Sequence, residues 1–156
     1  MRNQSANGLV IERVKRDNFD DLIRLVEELA KFEKLAPPDK AASTRLKRDI
    51  LSRKPRCEAY LCRLGHEYVA YIIFYFTYSS FLALPTLYLE DIFVIKEYRR
   101  RGIGQGIFDF CVERARKEGC GRIEFTVLDW NEAAQRFYEK NGARRTNWYF
   151  YRKDLK

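Results

Sequence analysis

Gly102 and Gly104 stand between an apolar, strand-like run over residues 87–95 and a helical pattern that continues to about residue 119. Arg99, Arg100 and Arg101 immediately precede them. A strand, a tight glycine turn and a helix in that order make the chain reverse at one point and aim a helix N-terminus there. The glycines leave backbone N–H groups uncovered, and the helix adds its unpaired amides and the positive end of its dipole. Together they make an anion site suited to a pyrophosphate, with cationic side chains at its rim.

Two other glycine motifs do not fit this segment. The dinucleotide-binding fingerprint G-x-G-x-x-G needs glycine where Ile107 stands, and Glu124 lies inside an apolar run rather than ending a second strand. A P-loop needs Gly-Lys-Ser/Thr after the glycines, and none follows.

At 156 residues, 46% hydrophobic and 15% aromatic, the chain suits one domain with a real core and is too apolar for disorder. No apolar stretch approaches the ~20 residues that cross a bilayer. Residues 1–8, MRNQSANG, lack the apolar stretch of a secretory signal and read as a flexible lead-in to a single domain over residues 9–156. A cytoplasmic protein is expected. Cys57, Cys62, Cys111 and Cys120 form no C-x-x-C pair and have no histidine nearby, so free thiols are expected and no metal site. The net charge of +8 suits an anionic partner, but the basic residues are dispersed and no helix-turn-helix or zinc-finger pattern accompanies them. Neither a nucleic-acid nor a membrane partner is expected.

Periodicity orders the elements. Residues 9–14 alternate as a half-buried strand; Asp17 reads as the N-cap of a helix that Pro37-Pro38 ends. A second helix over residues 43–52 leads to strands over 58–64 and 68–78, joined by a hairpin turn at Gly65-His66-Glu67. After the strand at 86–95 and the glycine-led helix, a strand is expected at 122–128 and a helix at 132–140 behind Asn131 as N-cap. A final strand is expected at 148–153. The order predicts a mixed α/β (α+β) fold.

Arg99-x-x-Gly102-x-Gly104, placed after Leu87-Tyr88-Leu89-Glu90-Asp91-Ile92-Phe93-Val94, resembles the acetyl-CoA-binding motif of the GNAT superfamily of N-acetyltransferases. Tyr75-Phe76-Thr77-Tyr78, Trp130-Asn131-Glu132 and Phe137-Tyr138-Glu139-Lys140-Asn141-Gly142-Ala143 narrow the likeness to the diamine acetyltransferases and their thialysine- and ornithine-acetylating relatives. Glu28-Leu29-Ala30-Lys31-Phe32-Glu33 on the first helix is similar too, so the likeness covers residues 9–156. It implies the GNAT fold: a mixed, mostly antiparallel central sheet flanked by helices, with splayed central strands holding acetyl-CoA. It also implies a homodimer, for which the aromatic run Trp148-Tyr149-Phe150-Tyr151 offers an edge.

The same resemblance assigns roles. Acetyl-CoA is the co-substrate, held by Ile92, Phe93 and Val94 along its pantetheine, by Arg99, Arg100, Arg101, Gly102, Ile103, Gly104 and Gln105 at its pyrophosphate, and by Asn131. Phe32, Glu33, Glu90 and Asp91 meet the acceptor amine. Transfer is direct, within a ternary complex. An alkylamine with a pKa of ~10.4 must lose its proton before it can attack, and Glu90 is implied as the base acting through water. Tyr138 is implied as the acid that protonates the leaving thiolate. Strand alternation sends Glu90 and Asp91 to opposite faces, so only one would face the cleft.

Ser79, Ser80 and Phe81 stand where the polyamine enzymes carry an acidic residue and a tryptophan, and Arg144-Arg145-Thr146 replaces a further acidic contact. The implied acceptor is therefore a small primary amine: a diamine, a polyamine or an amino-acid side chain. The alternative is a protein N-terminus or lysine.

Overall fold

The computed structural model describes residues 3–4 and 8–155. The chain forms two compact units, Met1–Phe125 and Thr126–Lys156. The larger holds β1 (Asn3–Gln4), β2 (Leu9–Arg13), α1 (Phe19–Glu33), α2 (Lys40–Leu51), β3 (Glu58–Leu64), β4 (Glu67–Ser79), β5 (Leu84–Val94), α3 (Ile103–Lys117) and β6 (Arg122–Glu124). The smaller holds α4 (Glu132–Lys140). Of the expected lead-in, Asn3–Gln4 pair with Val10 and Ile11, while residues 1–2 and 5–7 lie outside the described residues.

The six strands stand in chain order in one sheet. Each pairs antiparallel with the next except β5 and β6, which run parallel across the α3 crossover. This is the mixed, mostly antiparallel sheet that the family resemblance implied. Val69 to Phe74 in β4 are all buried, so both faces of the sheet are covered there.

α1 and α2 supply one cover. Phe19, Leu22 and Leu25 of α1 and Ile50 of α2 form a cluster with Ala59, Leu61, Tyr71, Ile73 and Phe93 from the strands. The acidic first turn of α1, Asp20 and Asp21, complements its dipole. Asn18, not Asp17, takes the N-cap position, and its side chain accepts from the Lys15 N–H at 2.7 Å, closing the preceding turn. The helix stops where Lys34 turns left-handed (φ 58°) and the Leu35 N–H reaches back to the Ala30 carbonyl. On the other cover, α3 buries Ile103, Ile107, Phe108 and Cys111 and packs on β5 and β2. Arg114 of α3 bonds Glu58 of β3 at 2.6 Å, tying helix to sheet.

Two expected strands differ from the structure. The one at 122–128 contracts to Arg122–Glu124. The one at 148–153 does not form: Trp148, Tyr149, Phe150 and Tyr151 are exposed and outside any strand. Alternation specifies which faces a strand would present, but a strand exists only where another backbone accepts its N–H and C=O groups.

Leu25 is wholly buried between α1 and the sheet. Leu25→Ala is expected to destabilise the fold by about 2–5 kcal/mol, read from the shift of the urea unfolding midpoint at unchanged slope.

Candidate active site

The pairing of β4 with β5 slips once. Ile73 stands opposite Asp91, but Phe74 stands opposite Leu89, so Glu90 is an extra residue in β5. A bulge of this kind breaks the alternation of side chains. Ahead of it, Tyr88 and Glu90 lie on the face of Tyr75; beyond it, Asp91 and Phe93 lie on the face of Tyr71 and Ile73. Those are one face, the one α1 and α2 cover. The expectation that Glu90 and Asp91 diverge is thus corrected: the bulge puts both carboxylates on the same side.

Two tyrosines of β4 receive them. The Tyr71 hydroxyl donates to Asp91 Oδ2 at 3.3 Å, and the Tyr75 hydroxyl to Glu90 Oε2 at 3.4 Å. Burial, then the adjacent Glu90 charge, push the Asp91 carboxyl up to about 6, against the opposing pull of the Tyr71 bond; Glu33 adds a further push. Glu33, at the end of α1, is itself raised by burial. Burial and the Glu90 carboxylate push Tyr75 up to about 12, and burial with the Asp91 charge raises Tyr71 far above the usual phenol range. Cys57, ahead of β3, is raised first by burial and then by Asp49, Glu90 and Asp91. None of the ion pairs among the described residues includes Glu33, Glu90 or Asp91. The cluster is a half-buried negative pole without an internal cation.

Beside the carboxylates runs an open strand edge. β6 pairs only with Thr86 to Tyr88, so among the described residues Leu89 to Val94 have a strand partner on the β4 side alone. Ile92, Phe93 and Val94 belong to this stretch. The Val94 carbonyl is already taken by Arg99 Nε at 2.8 Å. Beyond the short 3-10 turn Lys96–Tyr98, Gly102 adopts a left-handed conformation (φ 78°) as the N-cap of α3. The first bond of that helix runs from the Gly106 N–H to the Gly102 carbonyl, so the amides of residues 103–105 precede it at the helix mouth. A strand edge ending at a helix mouth fits an extended amide chain that terminates in a diphosphate.

The arginines differ in setting. Arg99 is partly buried, its guanidinium 4.8 Å from the Phe32 ring centre and 5.6 Å from that of Phe93. Arg100 is exposed with φ 61°, and Arg101 lies over the Tyr98 ring at 5.2 Å. Gln105 Nε2 donates to Asp109 at 2.9 Å.

In the smaller unit, the Asn131 side chain accepts from the Ala134 N–H at 3.2 Å and so caps α4 as expected. Tyr138 lies two turns further along and is buried, edge-on to Phe137 at 5.2 Å.

Tyr71 carries no role in the sequence reading, and Tyr75 enters it only within a family-like segment. Their spacing of four residues on one strand is the signal that both side chains share a face.

The acetyltransferase (GNAT) family model matches residues 22–143. A thialysine N-epsilon-acetyltransferase of Bos taurus is 33% identical over 143 residues, covering 86% of this chain and 84% of its own length. An L-ornithine N5-acetyltransferase of Arabidopsis thaliana is 44% identical over 73 residues, 47% of this chain and 32% of its own. A possible acetyltransferase from Clostridium difficile 630 shares the fold, with a TM-score of 0.81 at 21% identity over 94% of this chain and 97% of its own.

The raised Asp91 carboxyl has a consequence for stability. Folding favours its protonated form, a preference fully present below about pH 4 and lost as pH rises through about 6. Asp91→Asn, which carries no charge to bury, is expected to melt above the parent near pH 8, with the gap closing towards pH 4. A pH-independent gap in thermal melts contradicts the desolvation of Asp91.

Proposed function

This chain belongs to the GNAT family of acetyltransferases, and from that premise we propose that it acetylates the primary amine of a small, short acceptor through Glu90, Asp91 and Tyr138. The family uses acetyl-CoA, which when bound supplies the acetyl group as a reactive thioester. The observation that carries the reading is the negative pole of Glu33, Glu90 and Asp91, none of which is in an ion pair among the described residues. A cationic ligand satisfies such a pole; an anionic or apolar one leaves half-buried carboxylates uncompensated.

In this reading Glu33 and Asp91 attract the acceptor as its ammonium, with Phe32 beside them on α1. Glu90, more exposed than Asp91, takes the proton through water. The open edge of Ile92, Phe93 and Val94 lines the amide arm of the coenzyme. Amides at residues 102–105, with the rim charge of Arg100 and Arg101, meet its diphosphate. Tyr138 supplies the proton for the departing sulfur. Asn131, fixed as the N-cap of α4, orients the helix that carries Tyr138 and offers its amide to the coenzyme.

A diamine or an amino acid with a side-chain amine suits the pole better than a long polycation. The named activities of the relatives, on thialysine and on ornithine, support this, as does Ser79-Ser80-Phe81 in place of a further anion. The free thiols of Cys57, Cys62, Cys111 and Cys120 suit a reducing, cytoplasmic setting, and the exposed aromatics at residues 148–151 suit an edge in a homodimer. Among the described residues no helix is long and apolar enough to cross a membrane.

Thiol release from acetyl-CoA across putrescine, spermidine, thialysine, ornithine, lysine and a histone-tail peptide tests the reading; activity on the peptide alone overturns it in favour of a protein acetyltransferase. Tyr138→Phe is expected to lower kcat roughly tenfold or more while coenzyme affinity, by calorimetry, changes little. Unchanged turnover removes Tyr138 from the mechanism. Glu90→Gln is expected to move the rate profile to higher pH, since the amine must then shed its proton to solvent. A profile superimposable on the parent's dismisses Glu90 as the base.

A further inference from the structure

We propose that Tyr71 is a positioning residue of the amine site, its hydroxyl holding the Asp91 carboxylate in one orientation and keeping it charged for the acceptor ammonium. The proposal rests on the reading of Asp91 as an amine contact.

Tyr71 is wholly buried in the cluster beneath α1 and α2, opposite Phe93 in the β4–β5 register with ring centres 6.2 Å apart. Phenylalanine would fill the same space. A hydroxyl placed there loses its water and destabilises the fold unless it is bonded, so what it bonds to is informative. Its partner is Asp91 Oδ2.

Seen from Asp91, the surroundings are one-sided. Glu33 from α1 and Glu90 from β5 are like charges that oppose ionisation, and burial opposes it more than either. Tyr75 from β4 bonds Glu90, and Cys57, ahead of β3, feels Asp49 of α2 together with Glu90 and Asp91. Arg99 is a partly buried cation seated on the Phe32 and Phe93 rings, with its Nε committed to the Val94 carbonyl. The Tyr71 bond works against burial and the like charges and favours the ionised form. Because burial keeps Tyr71 protonated at any working pH, it remains a neutral donor throughout. A donor to a carboxylate stabilises its charge without cancelling it, which a lysine or arginine at that position would do. The acceptor's own ammonium then completes the pair.

Tyr71→Phe removes one oxygen and keeps the packing. Two measurements on the full chain test the proposal. The first is the pH dependence of kcat and KM for the amine. The acid limb of 1/KM is expected to move up by about one pH unit in Tyr71→Phe, with kcat near pH 9 within about twofold of the parent. In an Asp91→Asn background Tyr71→Phe is expected to add nothing further to KM. The second is direct titration of the Asp91 side-chain carboxyl by carbon NMR, which needs no turnover. Its midpoint is expected to rise by about the same one unit in Tyr71→Phe.

An unmoved NMR midpoint, or an equal effect of Tyr71→Phe with and without Asp91, overturns the proposal. So does a moved midpoint with an unmoved KM limb. If no amine is acetylated by the parent, the proposed function fails on its own, and the NMR arm still decides whether Tyr71 tunes Asp91. Should Tyr71→Phe not fold, Tyr71→3-fluorotyrosine keeps the ring and donates more strongly; both midpoints are then expected to fall, and their failure to move is equally decisive.

Discussion

One extra residue in β5 decides which way the adjacent carboxylates of the larger unit face. Without the slip at Glu90, regular alternation would send Glu90 and Asp91 to opposite sides of the sheet, one towards α1 and one towards α3. With it, two adjacent carboxylates share a face already crowded by Phe93 and Tyr71, and Glu33 of α1 is close enough to act on both Asp91 and Tyr71. Like charges brought together and partly stripped of water repel ionisation, and the fold provides hydroxyls rather than cations as partners. The result is an acidic pole with no ion pair among the described residues.

The open edge beside the carboxylates follows from a mismatch in strand length. β5 has 11 residues and β6 has 3, so parallel pairing stops at Tyr88. Past that point, among the described residues, the outer edge of β5 offers backbone groups without a strand partner on that side. An exposed edge is ordinarily a liability for aggregation, and an extended ligand that hydrogen-bonds along it is one way of covering it. The left-handed Gly102 then turns the chain so that α3 begins where that edge ends. Carboxylates and edge are carried by the same strand, so their separation is set by covalent geometry.

Arg99 shows how a motif residue and its setting part company. The sequence pattern reads it as a charge at the pyrophosphate. In the fold its Nε is committed to the Val94 carbonyl and its plane lies over Phe32 and Phe93, with desolvation lowering its pKa. It bridges the last residue of β5 to the end of α1. Arg100 and Arg101, with fewer commitments, are the exposed cations of the turn.

The amino-acid order by itself determined the helices and the central strands. Apolar stripes at helical spacing in residues 19–32, the proline pair that ends them, Asn131 ahead of residues 132–140, and glycines at 102 and 104 all act through local backbone preferences, which need no distant partner. The family-like segments carried the candidate site residues, whose roles are proposals. Tertiary structure alone decided the rest. The bulge at Glu90 depends on which residue of β4 faces which of β5, a relation between segments that no local pattern contains. The expected strand over residues 148–153 had the alternation but forms no ladder among the described residues. The Tyr71–Asp91 bond, the displaced Asp91 carboxyl and the short β6 likewise arise from burial and pairing between residues far apart in the chain. Local propensity is written residue by residue, whereas register and desolvation exist only once two segments have met.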